Sequence, residues 1–554
     1  AKMAQGIGSG KGPGISRLAA SALASTASIA MALVFDETSN DGPAWATEAL
    51  DFAAAGETDR AMKSARVAFE VACKKKDVKS KFSALHVIAK IHLQTGELYD
   101  ALQIAEKAQQ VLGKGTDAKA EASVLHTLAK VNKRTCKFSA AMQLAEEAMA
   151  MYTKVGSKVA EAATLNTIAG ILLAMQKKQE ALKMAKQAVA IFKEVNEKLG
   201  EAEVLETIVK INLSTKKHED ALRSANEILG IYEGGDDTTR LGAAMLVVAE
   251  VRTASGDPGE AEDMAKKAVE LFEVAMDKRL QADALLKLAD TCFANNNPTD
   301  GWTYIKEAVE LYRSVGHKKG EALALCHISR AHLQVGNFDE GGDFAREVVK
   351  LCREENFREI LASALHAVAD GHMARINAGA AGATEAHLNW EARKKGKEAL
   401  ALYEEIGDLS GQAKALNVLS MAFLSYGNLM EGRSKAKLAV QLCQETGDKA
   451  GEGINLLLVA QSRIHDNKDE ALRLARLAEK LLKEAGDADH VKGAEEVVEF
   501  IRDFEKGGAK KAKEGKIKLS DIQSDKTDIT MDLDFGKSRA AYFHAFTARA
   551  ARGG

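Results

Sequence analysis

Residues 118–157 read AKAEASVLHTLAKVNKRTCKFSAAMQLAEEAMAMYTKVGS, and residues 158–197 read KVAEAATLNTIAGILLAMQKKQEALKMAKQAVAIFKEVNE. One pattern is written twice. Leu125 and Leu165 hold the same frame, each followed three and four residues later by an aliphatic and a small residue, Leu128-Ala129 and Ile168-Ala169. That spacing puts the side chains on one stripe of a helix. A second stripe follows in each line: Ala141, Ala145 and Ala148, then Ala181, Ala185 and Ala188, closing on Met151-Tyr152 and Ile191-Phe192. A short polar turn such as Gln176-Lys177-Lys178 separates the two stripes, and a joint such as Val155-Gly156-Ser157 ends the unit. Each line therefore reads as helix A, tight turn, helix B.

Outward from this pair the frame recurs every 40 residues, at Leu85, Leu205, Met245, Leu285, Leu325 and Leu365. Units are expected from about Thr38, Val78, Ala118, Lys158, Lys198, Thr238, Lys278, Lys318 and Arg358, then from Leu409 and Lys449 after an insertion. Pro258 and Pro298 suit the first turn of a helix B, where a missing N–H costs little. A single such hairpin cannot cover both of its apolar faces and must stack on neighbours. The expected fold is all-α: a solenoid of about eleven helix-turn-helix repeats over 38–487, a capping helix at 488–505, a leader at 1–37 and a linker and tail at 506–554.

Composition agrees. The 554 residues are 46% hydrophobic but only 5% aromatic, with four prolines, which favours closely packed helices over sheet. Lys and Arg (76) nearly balance Asp and Glu (79), so no overall field selects nucleic acid or a membrane surface. The six cysteines, Cys73, Cys136, Cys292, Cys326, Cys352 and Cys443, are scattered without a C-x-x-C, which points to a reducing compartment. Cytoplasmic placement follows, with an organellar or membrane-anchored alternative resting on the N-terminal segment.

The residues Leu125, Leu128-Ala129 and Asn132 of helix A, with Ala141 opening helix B, resemble the tetratricopeptide repeat over about 450 of the 554 positions. The unit length is similar to the long repeats of kinesin light chains and spindle-orientation adaptors. The sequence departs from the family at the helix-B aromatic, which is Ala105, Ala145 and Ala185 here, and the bulk moves to Tyr152, Phe192, Tyr232, Phe272 and Tyr312. The resemblance implies a right-handed coil with a concave face that binds a protein partner. It places exposed concave positions one and five residues after the frame leucine: His86 and Lys90, His126 and Lys130, Asn166, Lys210, with Lys133 and Arg134 one turn on. The first units are thus basic and the middle ones acidic and apolar (Glu250, Asp290), so an acidic or extended segment is the expected guest. The chaperone-tail clamp of the family needs Lys and Asn, Asn, then Lys and Arg on three successive A helices, and no three units supply that set.

No chemistry is expected. Gly6–Gly12 (GIGSGKG) fails as a phosphate loop, because Gln5 stands at the first glycine and no strand precedes it. The pairs His86/His92 and His366/His372 are six apart, on different faces of a helix, so neither a metal nor another cofactor is expected. His92, His332 and His372 occupy the family's aromatic position, as packed, hydrogen-bonded substitutes. No catalytic motif appears.

Three segments lie outside the repeat. Leu18 to Phe35 is uncharged (LAASALASTASIAMALVF) and admits three readings, a capping helix, a targeting remnant or a short membrane contact through 18–35. About eleven residues are inserted near Ile376–Ala386, as a loop before an elongated helix B carrying Trp390. In the tail, Ile529, Met531, Leu533 and Phe535 alternate with Thr530, Asp532 and Asp534, and a basic stretch with Tyr542, Phe543 and Phe546 follows. The stretch Ile522–Phe535 is expected to occupy the concave surface, in cis or in a neighbouring copy, or else to meet another protein. The sequence thus reads as a non-catalytic scaffold or adaptor; the alternative is a structural subunit of a larger, membrane-associated or self-associating assembly.

Overall fold

The computed structural model describes residues 58–513, apart from 114, 116, 236, 296, 335, 378, 380–383 and 465, together with Trp45, Ala46 and Ala49. The leader at 1–37 and the tail residues Ile529, Met531, Leu533, Phe535, Tyr542, Phe543 and Phe546 lie outside the described residues. Among the described residues there are twenty-two helices and no strand.

The first unit contributes its B helix, α1 (Thr58–Lys75). Ten complete hairpins follow: α2 (Val78–Thr95) with α3 (Leu98–Leu112), α4 (Ala118–Arg134) with α5 (Phe138–Val155), α6 (Lys158–Ala174) with α7 (Lys178–Glu194), and α8 (Lys198–Ser214) with α9 (His218–Tyr232). Next come α10 (Thr238–Ser255) with α11 (Pro258–Val274), α12 (Lys278–Ala294) with α13 (Pro298–Ser314), and α14 (Lys318–Gln334) with α15 (Phe338–Glu354). The last three are α16 (Arg358–Asn377) with α17 (Glu385–Ile406), α18 (Leu409–Ser425) with α19 (Leu429–Thr446), and α20 (Lys449–Arg463) with α21 (Lys468–Ala485). The final helix, α22 (Ala488–Lys513), lays Ala494, Val497, Val498 and Ile501 against the eleventh unit.

Each helix packs on the next, and A helices of consecutive units also touch directly. The A helices therefore form the inner layer of the coil. Burial agrees. In α2 every residue from Phe82 to Ile91 is buried, whereas α3 buries a single stripe, Leu98, Ala101, Ala105, Ala108 and Leu112. The stripe alanines Ala141, Ala145, Ala181 and Ala185 are fully buried, which lets the two layers approach closely.

Helix ends are cut by left-handed residues at a regular interval. Asp77, Asp117, Asp277 and Asp408 cap A helices by accepting backbone N–H bonds in the first turn. The A helices close on left-handed residues, Gly96 but also Cys136, Gln176 and Lys216.

The stack curls until its turns touch. The Leu98 N–H donates to Glu359 Oε1 (2.7 Å), 261 residues away. Lys319 Nζ donates to the Thr95 carbonyl, the Leu409 N–H donates to the Thr135 carbonyl (3.3 Å), and the Arg358 guanidinium lies 5.0 Å above the Tyr99 ring. Leu93 and Leu98 pack into the core built by units six to ten. The A–B turns of units two and three thus dock on the A-helix starts of units eight, nine and ten, which closes one turn of the coil against the next.

Candidate partner-binding site

The inner layer positions the candidate residues. His86 Nε2 is hydrogen-bonded to Thr127 Oγ1 (2.9 Å), and His126 Nε2 to Thr167 Oγ1 (2.7 Å). Each histidine therefore ties its A helix to the next one. Asn166 continues the series one unit on, its Nδ2 donating to Glu203 Oε1 (3.5 Å). These contacts correct the expectation that the positions one and five after the frame leucine are exposed. His86, His126, Asn166 and Lys90 are buried, because consecutive A helices stand close enough to cover one another. Thr127, Thr167 and Thr207 recur in the sequence two residues after the frame leucine. That recurrence was the available signal, and sequence reasoning passed over it.

Lys130, Lys133 and Lys210 are half-buried along the inner layer, and no carboxylate among the described residues lies within ion-pairing distance of them. Burial, then the charges of Lys210 and Lys130, bring Lys133 down to about 8. Burial, then the charge of Lys130, holds Lys90 well below the ordinary lysine value. Burial, followed by Lys130, Lys90 and Lys133, likewise depresses His126, and burial with Lys90 depresses His86, so both rings are neutral at pH 7. The structure brings Lys90, Lys130, Lys133 and Lys210 together as one cationic strip. Arg134 goes elsewhere: it donates to the Leu93 carbonyl and faces Glu359 at the closure between turns.

The middle units differ in kind. Glu250 Oε2 accepts from Lys287 Nζ (3.3 Å), and Glu201, buried, pairs with Lys198 (3.0 Å) and Lys193 (3.5 Å). Their acids are spent on neighbours within the array. Further round, Asp370 is exposed, and the partial desolvation by protein around it raises its carboxyl to about 6.

Among the described residues, His92, Glu97 and Asp100 bring three side-chain donors close enough to share an ion. His92 Nδ1 is hydrogen-bonded to Glu97 Oε2 (2.5 Å), and Glu97 faces Lys319, so the group is already engaged at the closure. His332 lies between Trp302 (4.4 Å) and Phe344 (5.5 Å), packed as an aromatic would be. Among the described residues no helix is long and apolar enough to cross a membrane.

The family model of the tetratricopeptide repeat matches residues 80–154 and 160–234. Among curated proteins no sequence matches the chain. Solved structures to which it is similar include BtubC from P. vanneervenii, at 20% identity over 40% of this chain and 92% of that one, with a TM-score of 0.33. A signal-transduction ATPase with a tetratricopeptide repeat sensor from Pyrococcus horikoshii aligns at 15% identity over 86% of this chain and 65% of that one (TM-score 0.42). A Rap protein complexed with competence and sporulation factor aligns at 12% identity over 73% and 98% (TM-score 0.40).

Proposed function

We propose that this chain, a tetratricopeptide-repeat protein, is a non-catalytic interaction scaffold whose inner face takes an acidic, extended segment of a protein partner. The observation that carries the reading is the strip of Lys90, Lys130, Lys133 and Lys210. Burial first, and the neighbouring cations second, disfavour the charged forms of Lys133 and Lys90. A carboxylate-bearing guest offsets that penalty and gains charge-assisted hydrogen bonds in surroundings of reduced dielectric. An extended backbone suits such a face, since its side chains alternate between the two sides of the strand.

The test uses the full chain and a fluorescent Asp/Glu-rich peptide, with association followed by anisotropy at several salt concentrations. Lys130→Glu with Lys210→Glu reverses two half-buried charges without touching the histidine contacts. Association should slow by about tenfold or more, and its salt dependence should flatten. Unchanged rates in the variant, or no binding by the parent chain, would remove the inner face as the acidic-segment site.

A further inference from the structure

The inserted unit carries a second cationic surface, on the edge of the array. Helices α16 and α17 are 20 and 22 residues long, against 17 for α4 or α6, so the ninth hairpin stands out on the side where A helices turn into B helices. On α17, Trp390, Arg393, Lys394 and Lys397 fall at i, i+3, i+4 and i+7, one face of the helix. Lys394 Nζ lies 4.8 Å from the Trp390 ring centre, while Arg393 lies 4.6 Å from the Tyr426 ring and 5.6 Å from that of Phe423. Trp390 is 49% exposed and Tyr426 61%. Among the described residues none of the three cations has an ion pair, and Arg393 Nε has no hydrogen-bond partner. An exposed aromatic stripe with unneutralised cations asks for a guest that is apolar on one side and anionic on the other.

We propose that this stripe is the seat of the chain's own segment 528–535, bound in cis. Two observations single out that occupant. From 521 to 535 the chain has five aspartates and one lysine, and over 528–535 (DITMDLDF) acidic or polar residues alternate with Ile529, Met531, Leu533 and Phe535. Extended, such a segment offers an apolar edge to Trp390 and Tyr426 and carboxylates to Arg393, Lys394 and Lys397. The second observation is where the chain leaves the array. Helix α22 follows α21 across the short joint Gly486-Asp487, so it runs as an A helix does, and with 26 residues against the 17 of α18 it carries the chain past the edge that bears Tyr426, the C-cap of α18. A helices two units apart stand roughly 20 Å from one another. The fourteen residues 514–527 reach about 45 Å when extended, enough to return to the ninth and tenth units. The inference is independent of the inner-face reading and moves the acidic segment away from the lysine strip.

The test places a photoreactive benzoylphenylalanine at Phe535 in the full chain, irradiates a mixture of light and isotope-labelled copies, and maps the products by mass spectrometry. Expected products join the tail to 390–397 or 423–426 of the same copy. Lys394→Glu with Lys397→Glu, both exposed, should cut their yield roughly tenfold with unchanged circular dichroism. Cross-links to the helices bearing Lys130 and Lys210 would instead seat the tail on the inner face. Links between light and heavy copies would make the contact intermolecular. Either result, or no cross-link at all, overturns the proposal.

Discussion

His86 and His126 sit where a groove-lining residue was expected, and each spends its Nε2 on a threonine of the next A helix. The frame leucine told which stripe they occupy; it could not tell how near the following helix stands, because that distance is set by the alanines of two other helices. The burial has a consequence for pH. Both rings have folded-state values depressed by desolvation, so the unfolded chain binds protons that the folded chain refuses. Stability is then full above the unfolded value of about 6.5 and falls as pH drops below it, by up to ~1.4 kcal/mol per pH unit for each histidine. Thermal melts between pH 7.5 and 5.5 should show a falling Tm, and His86→Gln with His126→Gln should make that fall shallower. Equal slopes in parent and variant would mean these rings are charged in the fold. Asp370, raised to about 6, works the other way. Its ionisation costs stability as pH rises from 3.8 through 6, but the side chain is exposed and solvent screens the charge, so Asp370→Asn should stabilise only slightly at neutral pH and not at pH 4.

At the scale of elements, the joints between units explain why the bulky residue of helix B stands near its C-terminal end. Phe192, Tyr312 and Tyr403 close their B helices, and eight residues later stands a glycine: Gly200, Gly320 and Gly411. A Cβ on those glycines would lie 2.3, 2.4 and 2.2 Å from the respective ring. The ring therefore packs onto bare backbone of the next helix A, and that contact sets how one hairpin leans on the following one. The sequence carried both halves of the pattern, yet only the aromatic half was legible, since a glycine near a helix start usually marks a turn. Gly320→Ala should destabilise by about 1–3 kcal/mol through overpacking against Tyr312, despite the better helix propensity of alanine. Gly230 is the control. It sits exposed in α9 with nothing within 4 Å of the added Cβ, so Gly230→Ala should stabilise by about 0.5–1 kcal/mol. Chemical denaturation decides the pair, and two substitutions of the same sign would refute the ring-on-glycine joint.

For the whole molecule, periodicity made the helix pairs, their order and the all-α class readable, because each repeat contacts mainly its neighbours and local pattern suffices. The closure between turns was not readable. It joins Leu98 to Glu359 and Thr135 to Leu409, and it depends on curvature accumulated over seven units, which no single spacing encodes. The closure changes the mechanics of the array. An open solenoid frays from its ends, whereas this one also holds units two and three against eight, nine and ten. Cys136 reports on that contact. Desolvation, then Asp408 from the tenth unit, pushes its thiol up to about 11, which suppresses the reactive thiolate. Replacing the half-buried acceptor by Glu359→Lys removes the partner of the Leu98 N–H and sets a third cation beside Lys319 and Arg134. If the closure acts as one unit, the coil should open: the radius of gyration from X-ray scattering should rise with helicity unchanged. Alkylation of Cys136 should then accelerate by about tenfold or more, while exposed Cys73 keeps its rate. Faster alkylation without expansion would confine the effect to one turn, and an unchanged Cys136 with an unchanged radius would mean that the curl is held by hairpin stacking alone.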